Sequence, residues 1–270
     1  MASDLVRAVN LRKIYRPHRW FSAKTRTVVA LDGVDLAIPR GATLALTGQS
    51  GSGKSTLGRC IAGLEEPTSG EIWFDEQNIS GLSGRDLRPF RKEIQFIFQD
   101  AGTALNPRFS AAAIVEEPLV IAGWNEQECR RRALEIMDQV QLSPAWANRR
   151  PSEFSGGQRQ RLAIARALTL DPKLLILDEA LSSVDMSIRA QLVNLLLQLQ
   201  ASLGLTYLFI SHDLALLPYV ADQVAIMNKG RIVEVCGVAD FYRHDTHRGY
   251  AAPVGTGYAT GGRWLGQFRN

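Results

Sequence analysis

Residues 48–55 read Gly48-Gln49-Ser50-Gly51-Ser52-Gly53-Lys54-Ser55, a G-x-x-x-x-G-K-S run set directly behind the apolar stretch Thr43-Leu44-Ala45-Leu46-Thr47. The run demands a buried strand before it, a turn that needs glycines, and a helix after it. Turns of this kind aim successive backbone N–H groups at phosphate oxygens, and a side chain at the glycines would block the approach. Lys54 adds a cation at the β and γ positions of a nucleoside triphosphate, and the Ser55 hydroxyl can ligate Mg²⁺. The candidate phosphate-binding residues are therefore Gly48, Ser50, Gly51, Ser52, Gly53, Lys54, Ser55 and Thr56. The helix is expected to continue to Gly63.

With 270 residues and 46% hydrophobic content, the chain can bury a core in one large domain or two interleaved lobes. A net charge of +4 carries little information about partners. Cys60, Cys129 and Cys236 are far apart and in no C-x-x-C pairing, which argues against a disulfide framework or a zinc site and fits a reducing cytosol. The segment Met1–Arg7 lacks an apolar signal core, and no apolar run approaches the roughly 18 residues that span a bilayer. If the protein works at a membrane, it is expected to dock onto other subunits.

Alternation from Val28 to Ile38, followed by Pro39-Arg40-Gly41, predicts a strand and a turn leading into the strand at Thr43. Glu71–Phe74 and Ile94–Phe98 are further strands. The pattern turns helical between Glu116 and Leu142, with Asn125 as N-cap of Glu126–Val140, and again over Met186–Leu203. Leu174–Leu177 and Tyr207–Ile210 are short apolar runs that read as buried parallel strands. One ends in Asp178-Glu179 and the other in Ser211-His212-Asp213, the position where an α/β sheet places its ligand. Residues 222–228 and 231–236, joined by Lys229-Gly230, read as a hairpin. From Asp245 onward the chain is Gly-rich and aperiodic, so 246–270 is expected to be a loose tail.

A phosphate loop alone fits kinases, GTPases and many ATPases. The segment Phe154-Ser155-Gly156-Gly157-Gln158 discriminates among them, together with Gln99 after its strand, Leu177-Asp178-Glu179 and Ser211-His212-Asp213. In order and spacing the chain resembles the ATP-binding subunits of ABC transporters along nearly its whole length, from about Leu5 to Tyr242. The resemblance implies an α/β fold: a P-loop NTPase core with an N-terminal antiparallel β subdomain and an inserted α-helical subdomain. It sets the ATP-binding domain at 5–245, with the helical signature subdomain at about 90–165.

By that resemblance Ser155, Gly156, Gly157 and Gln158 open a helix toward the γ-phosphate of ATP held by a second subunit, and two glycines before a helix would make an anion nest. Asp178 would hold Mg²⁺ through water, and Glu179 would be the general base for the attacking water. On an extended strand end the two carboxylates would face opposite sides. The plainer alternative is that both cap the next helix. His212 would contact the γ-phosphate. The consecutive Ser211-His212-Asp213 cannot converge as a hydrolase triad. Gln99 would contact the metal and sense movement of the transport subunits. Asp185, in Ser182-Ser183-Val184-Asp185, would reach across the dimer. Tyr15 would stack on adenine, with a strand-end tyrosine as the plain alternative and Trp20 or Phe21 as substitutes.

Leu105-Asn106-Pro107-Arg108 and Ile114-Val115-Glu116-Glu117-Pro118-Leu119 narrow the resemblance to the oligopeptide, dipeptide and nickel importer group. The implied partners are a second ATP-binding subunit, identical or related, permease subunits, and indirectly an external solute-binding protein. The implied location is peripheral, on the cytoplasmic face of the plasma membrane. Residues 56–154 leave no room for the long heptad insertion of DNA-repair relatives, so no nucleic acid is expected as a partner. The alternative is an ATPase of a soluble assembly, such as those of phosphonate breakdown. The importers commonly run on past a His-Pro-Tyr-Thr segment, whereas this chain reads His244-Asp245-Thr246-His247.

Overall fold

The computed structural model describes residues 3–16, 27–100, 102, 104–182 and 184–243; Trp20, Phe21, Ser183 and the tail 246–270 lie outside them. In chain order the elements begin with β1 (Asp4–Tyr15), β2 (Val28–Pro39), β3 (Thr43–Thr47), α1 (Lys54–Ile61), β4 (Ser69–Phe74), β5 (Gln77–Asn78), α2 (Arg88–Glu93) and β6 (Ile94–Ile97). They continue with α3 (Ala111–Ile121), α4 (Glu126–Gln139), α5 (Gly156–Leu168), β7 (Leu174–Asp178), α6 (Met186–Leu203), β8 (Thr206–Ile210), α7 (Leu217–Val220), β9 (Gln223–Asn228), β10 (Arg231–Gly237) and α8 (Val238–Phe241).

The described residues fall into two compact units, one up to Ile94 and from Thr206 onward, the other from Gln95 to Leu205. In the first, an antiparallel sheet runs β2-β1-β4-β5. Burial alternates over Val34, Leu36 and Ile38 on β2, as in a half-buried strand, and slips by one between Leu31 and Val34 and between Ala8 and Leu11 on β1, where the β1–β2 register shifts. The second sheet of this unit runs β10-β9-β3-β8. Strand β3 lies parallel to both β8 and β9, pairing Leu46 with Ile210 and with Ala225. All five residues of β3 and of β8 are buried, so both carry continuous apolar runs rather than alternation. The hairpin expected at Lys229-Gly230 is present, with β9 and β10 antiparallel.

In the second unit β7 and β6 are neighbouring strands, and α3, α4 and α5 pack on one another. Asn125 caps α4 by accepting from Glu128 N–H. Helix α3 starts at Ala111, five residues before the onset expected from sequence, because Ser110 caps it by accepting from Ala113 N–H. Thr169 Oγ1 donates to Val115 O at 3.1 Å, fastening the C-terminal end of α5 to α3, and Arg161 in the body of α5 donates to Val140 O at the end of α4 at 3.0 Å.

Candidate functional site

In the first unit the phosphate loop departs from the end of β3 and delivers the chain into α1. Three of its glycines hold positive φ: Gly48 at 145°, Gly51 at 75° and Gly53 at 108°. A Cβ on Gly48 would lie 2.0 Å from Met227 O, and one on Gly53 would lie 2.3 Å from Ala30 O, so these two are needed for space as well as for backbone angle. Gly51 meets nothing within 4 Å. Gly53 is the N-cap of α1 and brings no side chain to cap it, and no acidic residue stands in the first turn. An anion at this helix start would meet neither a side-chain cap nor a first-turn carboxylate.

Lys54 is 6% exposed. Its ammonium donates to Gly48 O and Gln49 O at 2.9 Å each, so the cation is folded over the loop it serves. Ser52 is buried, and its hydroxyl oxygen has no hydrogen-bond partner. A buried orphan hydroxyl is costly unless something occupies the cradle. A strut supports the loop from the β9–β10 turn: Gly230 N–H donates to Ser52 O at 2.8 Å, and Asp32 N–H donates to Gly230 O at 2.9 Å. Arg231 grips Asp32 Oδ2 through Nε at 2.9 Å and Nη2 at 2.6 Å. That hydrogen bond holds the Asp32 carboxyl below its usual range.

His212 is exposed just past β8. Ser211 N–H donates to Leu46 O at 3.2 Å, which fixes the imidazole's chain position beside the start of the phosphate loop. Asp213 spends its carboxylate on Ala215 N–H, while Ser211 Oγ accepts from Asp213 N–H. Tyr15 ends β1 with 39% of its surface exposed. Its hydroxyl donates to Glu65 Oε2 rather than standing in solvent.

In the second unit Gln99 is exposed just after β6, and Asp178 is 5% exposed at the end of the neighbouring strand β7. The expected alternation of Asp178 and Glu179 along an extended strand does not occur. Glu179 has φ 50°, so the backbone has already turned, and its carbonyl accepts from Ser182 N–H and Oγ at 3.0 and 2.8 Å. Neither carboxylate caps the next helix, because Asp185 holds the N-cap of α6, exposed and without a capping hydrogen bond from its side chain.

The segment 155–158 opens helix α5 as expected, but its glycines are placed differently. The glycines do not precede the helix; Gly156 and Gly157 form its first turn, and Ser155 is the N-cap. Ser155 Oγ accepts from Gln158 N–H at 3.3 Å, and Gln158 Oε1 accepts from Ser155 N–H at 2.9 Å. This reciprocal box satisfies two donors of the helix start, so Gln158 shapes the segment instead of reaching outward. Ser155 and Gly156 are exposed and Gly157 is buried. Arg189 Nη2 lies 3.2 Å from Val184 O and 3.4 Å from Ser182 O, tying α6 to the loop that carries Asp185.

A groove of about 210 Å³ also lies in this unit, lined by Phe96, Phe98, Asn106, Phe109, Glu117 and Arg166 among others. Arg166 and Glu117 pair along it at 2.8 Å. Sequence reasoning missed Glu65 and the Gly230 strut. A single carboxylate in a loop gives no pattern, whereas the Lys229-Gly230 turn was visible but not its contact.

The family model for ABC transporters matches residues 31–182. The dipeptide transport ATP-binding protein DppF of Haemophilus influenzae is 43% identical over 246 residues, covering 91% of this chain and 75% of its own. The oligopeptide transport ATP-binding protein AppF of Bacillus subtilis is 45% identical over 229 residues, covering 84% and 70%. A dimeric ATP-binding cassette solved in a post-hydrolysis state with ADP and Pi matches with a TM-score of 0.75 at 30% identity, covering 86% of this chain and 98% of that one. A cassette loop with uncapped helix start, the self-capped serine-glycine-glycine-glutamine turn and these matches agree: the chain belongs to the ABC transporter family and has the fold of its ATP-binding cassettes.

Proposed function

We propose that this chain is the ATP-binding and ATP-hydrolysing subunit of an importer of peptides, and that two cassettes, identical or related, work together on partner permease subunits. The observation that carries the reading is the uncapped α1 start behind the glycine loop, with Lys54 bent over it and the Ser52 hydroxyl buried without a partner. The relatives named above are dipeptide and oligopeptide transport proteins, which supports the solute class. The soluble-assembly alternative draws no support from them.

In this reading the N–H groups of residues 50–56 and the Lys54 ammonium hold the triphosphate, and Tyr15 stacks on adenine. Glu179 takes a proton from water as the water oxygen attacks the γ-phosphorus and the bridging oxygen leaves with ADP. His212 holds the γ-phosphate and the attacking water. Ser55, Gln99 and Asp178 are hard oxygen donors that suit Mg²⁺. When bound, Mg²⁺ would neutralise charge on the phosphate oxygens. Ser155, Gly156 and Asp185 act on the nucleotide held by the second cassette, with Gly157 and Gln158 giving that surface its shape.

The groove beside Gln99 is the proposed seat of a permease segment: aromatic rings supply an apolar floor, and the Arg166–Glu117 pair supplies a polar edge. No helix among the described residues is long and apolar enough to cross a membrane. By its likeness to transport ATP-binding proteins, the reading puts the chain peripherally on the cytoplasmic face, with a solute-binding protein acting from outside and the domain spanning 5–245. Replacing Glu179 by Gln tests the scheme. Retained ATP binding with turnover lowered about 100-fold is expected; undiminished hydrolysis overturns the assigned base.

A further inference from the structure

We propose that Glu65 is a positioning residue that fixes the Tyr15 ring as the platform for the nucleotide base, so that the base seat and the phosphate seat are both fastened to helix α1. The proposal rests on the reading of Tyr15 as the adenine-stacking residue, and adds what holds that ring in place.

Glu65 lies just past α1, where its N–H donates back to Arg59 O at 3.2 Å. Its carboxylate is shared. Oε2 accepts from the Tyr15 hydroxyl, and Oε1 accepts from Arg59 Nη1 at 3.3 Å on the last turn of α1. Lys13 Nζ stands 4.0 Å from Oε2 and donates to Glu66 O at 2.6 Å. The same ammonium lies over the Tyr15 ring, 5.2 Å from its centroid. Lys13 thus covers one face of the ring, and a base can stack only on the other.

The end of β1 is tied to the same stretch by backbone groups. Ile14 N–H donates to Thr68 Oγ1 at 2.9 Å, and Thr68 N–H donates to Arg12 O at 2.7 Å. The phenol's pKa is raised by burial first and by the Glu65 carboxylate second, with the Thr56 hydroxyl beside it opposing. The phenol therefore stays a donor at neutral pH. Thr56 belongs to the first turn of α1, adjacent to Ser55 of the phosphate loop. With the hydroxyl clamped and one face covered, the ring keeps little rotational freedom to lose when a base arrives.

The test compares binding of MgATP and of magnesium tripolyphosphate, which has no base, in the full chain by titration calorimetry, alongside kcat and KM. Tyr15→Ala should weaken ATP and leave tripolyphosphate unchanged; ATP binding equal to wild type there overturns the platform itself. Glu65→Ala should raise the KM for ATP about threefold to tenfold, the worth of one net hydrogen bond, with kcat within about twofold. Glu65→Gln, which can still accept from the phenol, should restore most of the loss. Tyr15→Phe should match Glu65→Ala, and the double variant should be no worse than either single one. A Glu65→Ala protein that binds ATP as wild type while Tyr15→Ala does not leaves the platform standing and overturns the lock. Loss of tripolyphosphate binding in Glu65→Ala overturns it too, because the residue would then hold the whole unit and not the ring.

Discussion

Gly157 and Ile188 touch so closely that a methyl group on Gly157 would lie 2.4 Å from Ile188 Cγ2. The first turn of α5 and the first turn of α6 therefore share one contact. Ser155 precedes it on one side and Asp185 on the other, so the two groups proposed to face the second cassette are set by the same packing.

Gly157→Ala should cost about 1–3 kcal/mol in urea unfolding, because Ile188 Cγ2 sits on a branched carbon and cannot swing aside. Gly156, one residue earlier, meets nothing within 4 Å. Gly156→Ala should keep stability within about 0.5 kcal/mol of wild type yet reduce turnover about tenfold or more, since the methyl would intrude on the face proposed to meet the second nucleotide. Pairing Gly157→Ala with Ile188→Ala should recover part of the stability, a coupling that two independent sites would not show.

The phosphate-loop glycines should rank by space. Gly48→Ala and Gly53→Ala drive a Cβ into backbone oxygens and should prevent soluble folding or cost more than about 4 kcal/mol. Gly51→Ala has open space and only its φ of 75° to resist it, so its cost should be about 1–2 kcal/mol. Thermal melts of the three purified variants check the order.

The Asp32–Arg231 pair should reveal itself at acid pH. The folded carboxyl is held below its ordinary pKa, so the unfolded chain takes up its proton first as pH falls. The contribution is present above the ordinary carboxylate value and is lost as pH drops through the lowered one. Arg231→Gln should therefore unfold at lower urea than wild type at neutral pH, with the gap narrowing as pH falls below the ordinary carboxylate value and through the lowered one.

Cys60 works in the opposite direction. Its thiol is 1% exposed, and burial pushes its pKa up to about 12. The folded state keeps the proton that the unfolded chain releases, so this part of the stability is intact below the ordinary thiol value of 9.0 and declines as pH rises beyond it. Wild type should lose about 1 kcal/mol from this group by pH 10, and Cys60→Ala should show a flatter alkaline limb in urea midpoints.

Strands β7 and β8 were legible because each carries four successive apolar residues, and β3 because Leu44-Ala45-Leu46 runs apolar between two threonines, and such short unbroken runs are buried on both faces. Helices α4 and α6 were legible because each carries an apolar stripe, and α4 a cap residue too. The onset of α3 was not, since Ala111-Ala112-Ala113-Ile114-Val115 is apolar without period and Pro118 stands inside the helix. Helix α2 has no buried residue and therefore no stripe to read. The site followed the same division. Gly48, Gly53 and Ser155 are set by local backbone chemistry that sequence spacing records. The backbone angle of Glu179, the inward use of Gln158 and the grip of Glu65 on Tyr15 depend on neighbours that only folding supplies.

The turn at Gly230, which props the phosphate loop through Ser52, also sets a timetable for synthesis. Strand β3 finds its hydrogen-bond partners at residues 207–210 and 223–226, long after it has left the ribosome. At about 5–20 residues per second, roughly 10–40 s separate translation of the loop from translation of its support. Until residues 207–210 follow, Leu44-Ala45-Leu46 has no strand partner on the nascent chain, and its apolar side chains are covered by neither neighbouring strand.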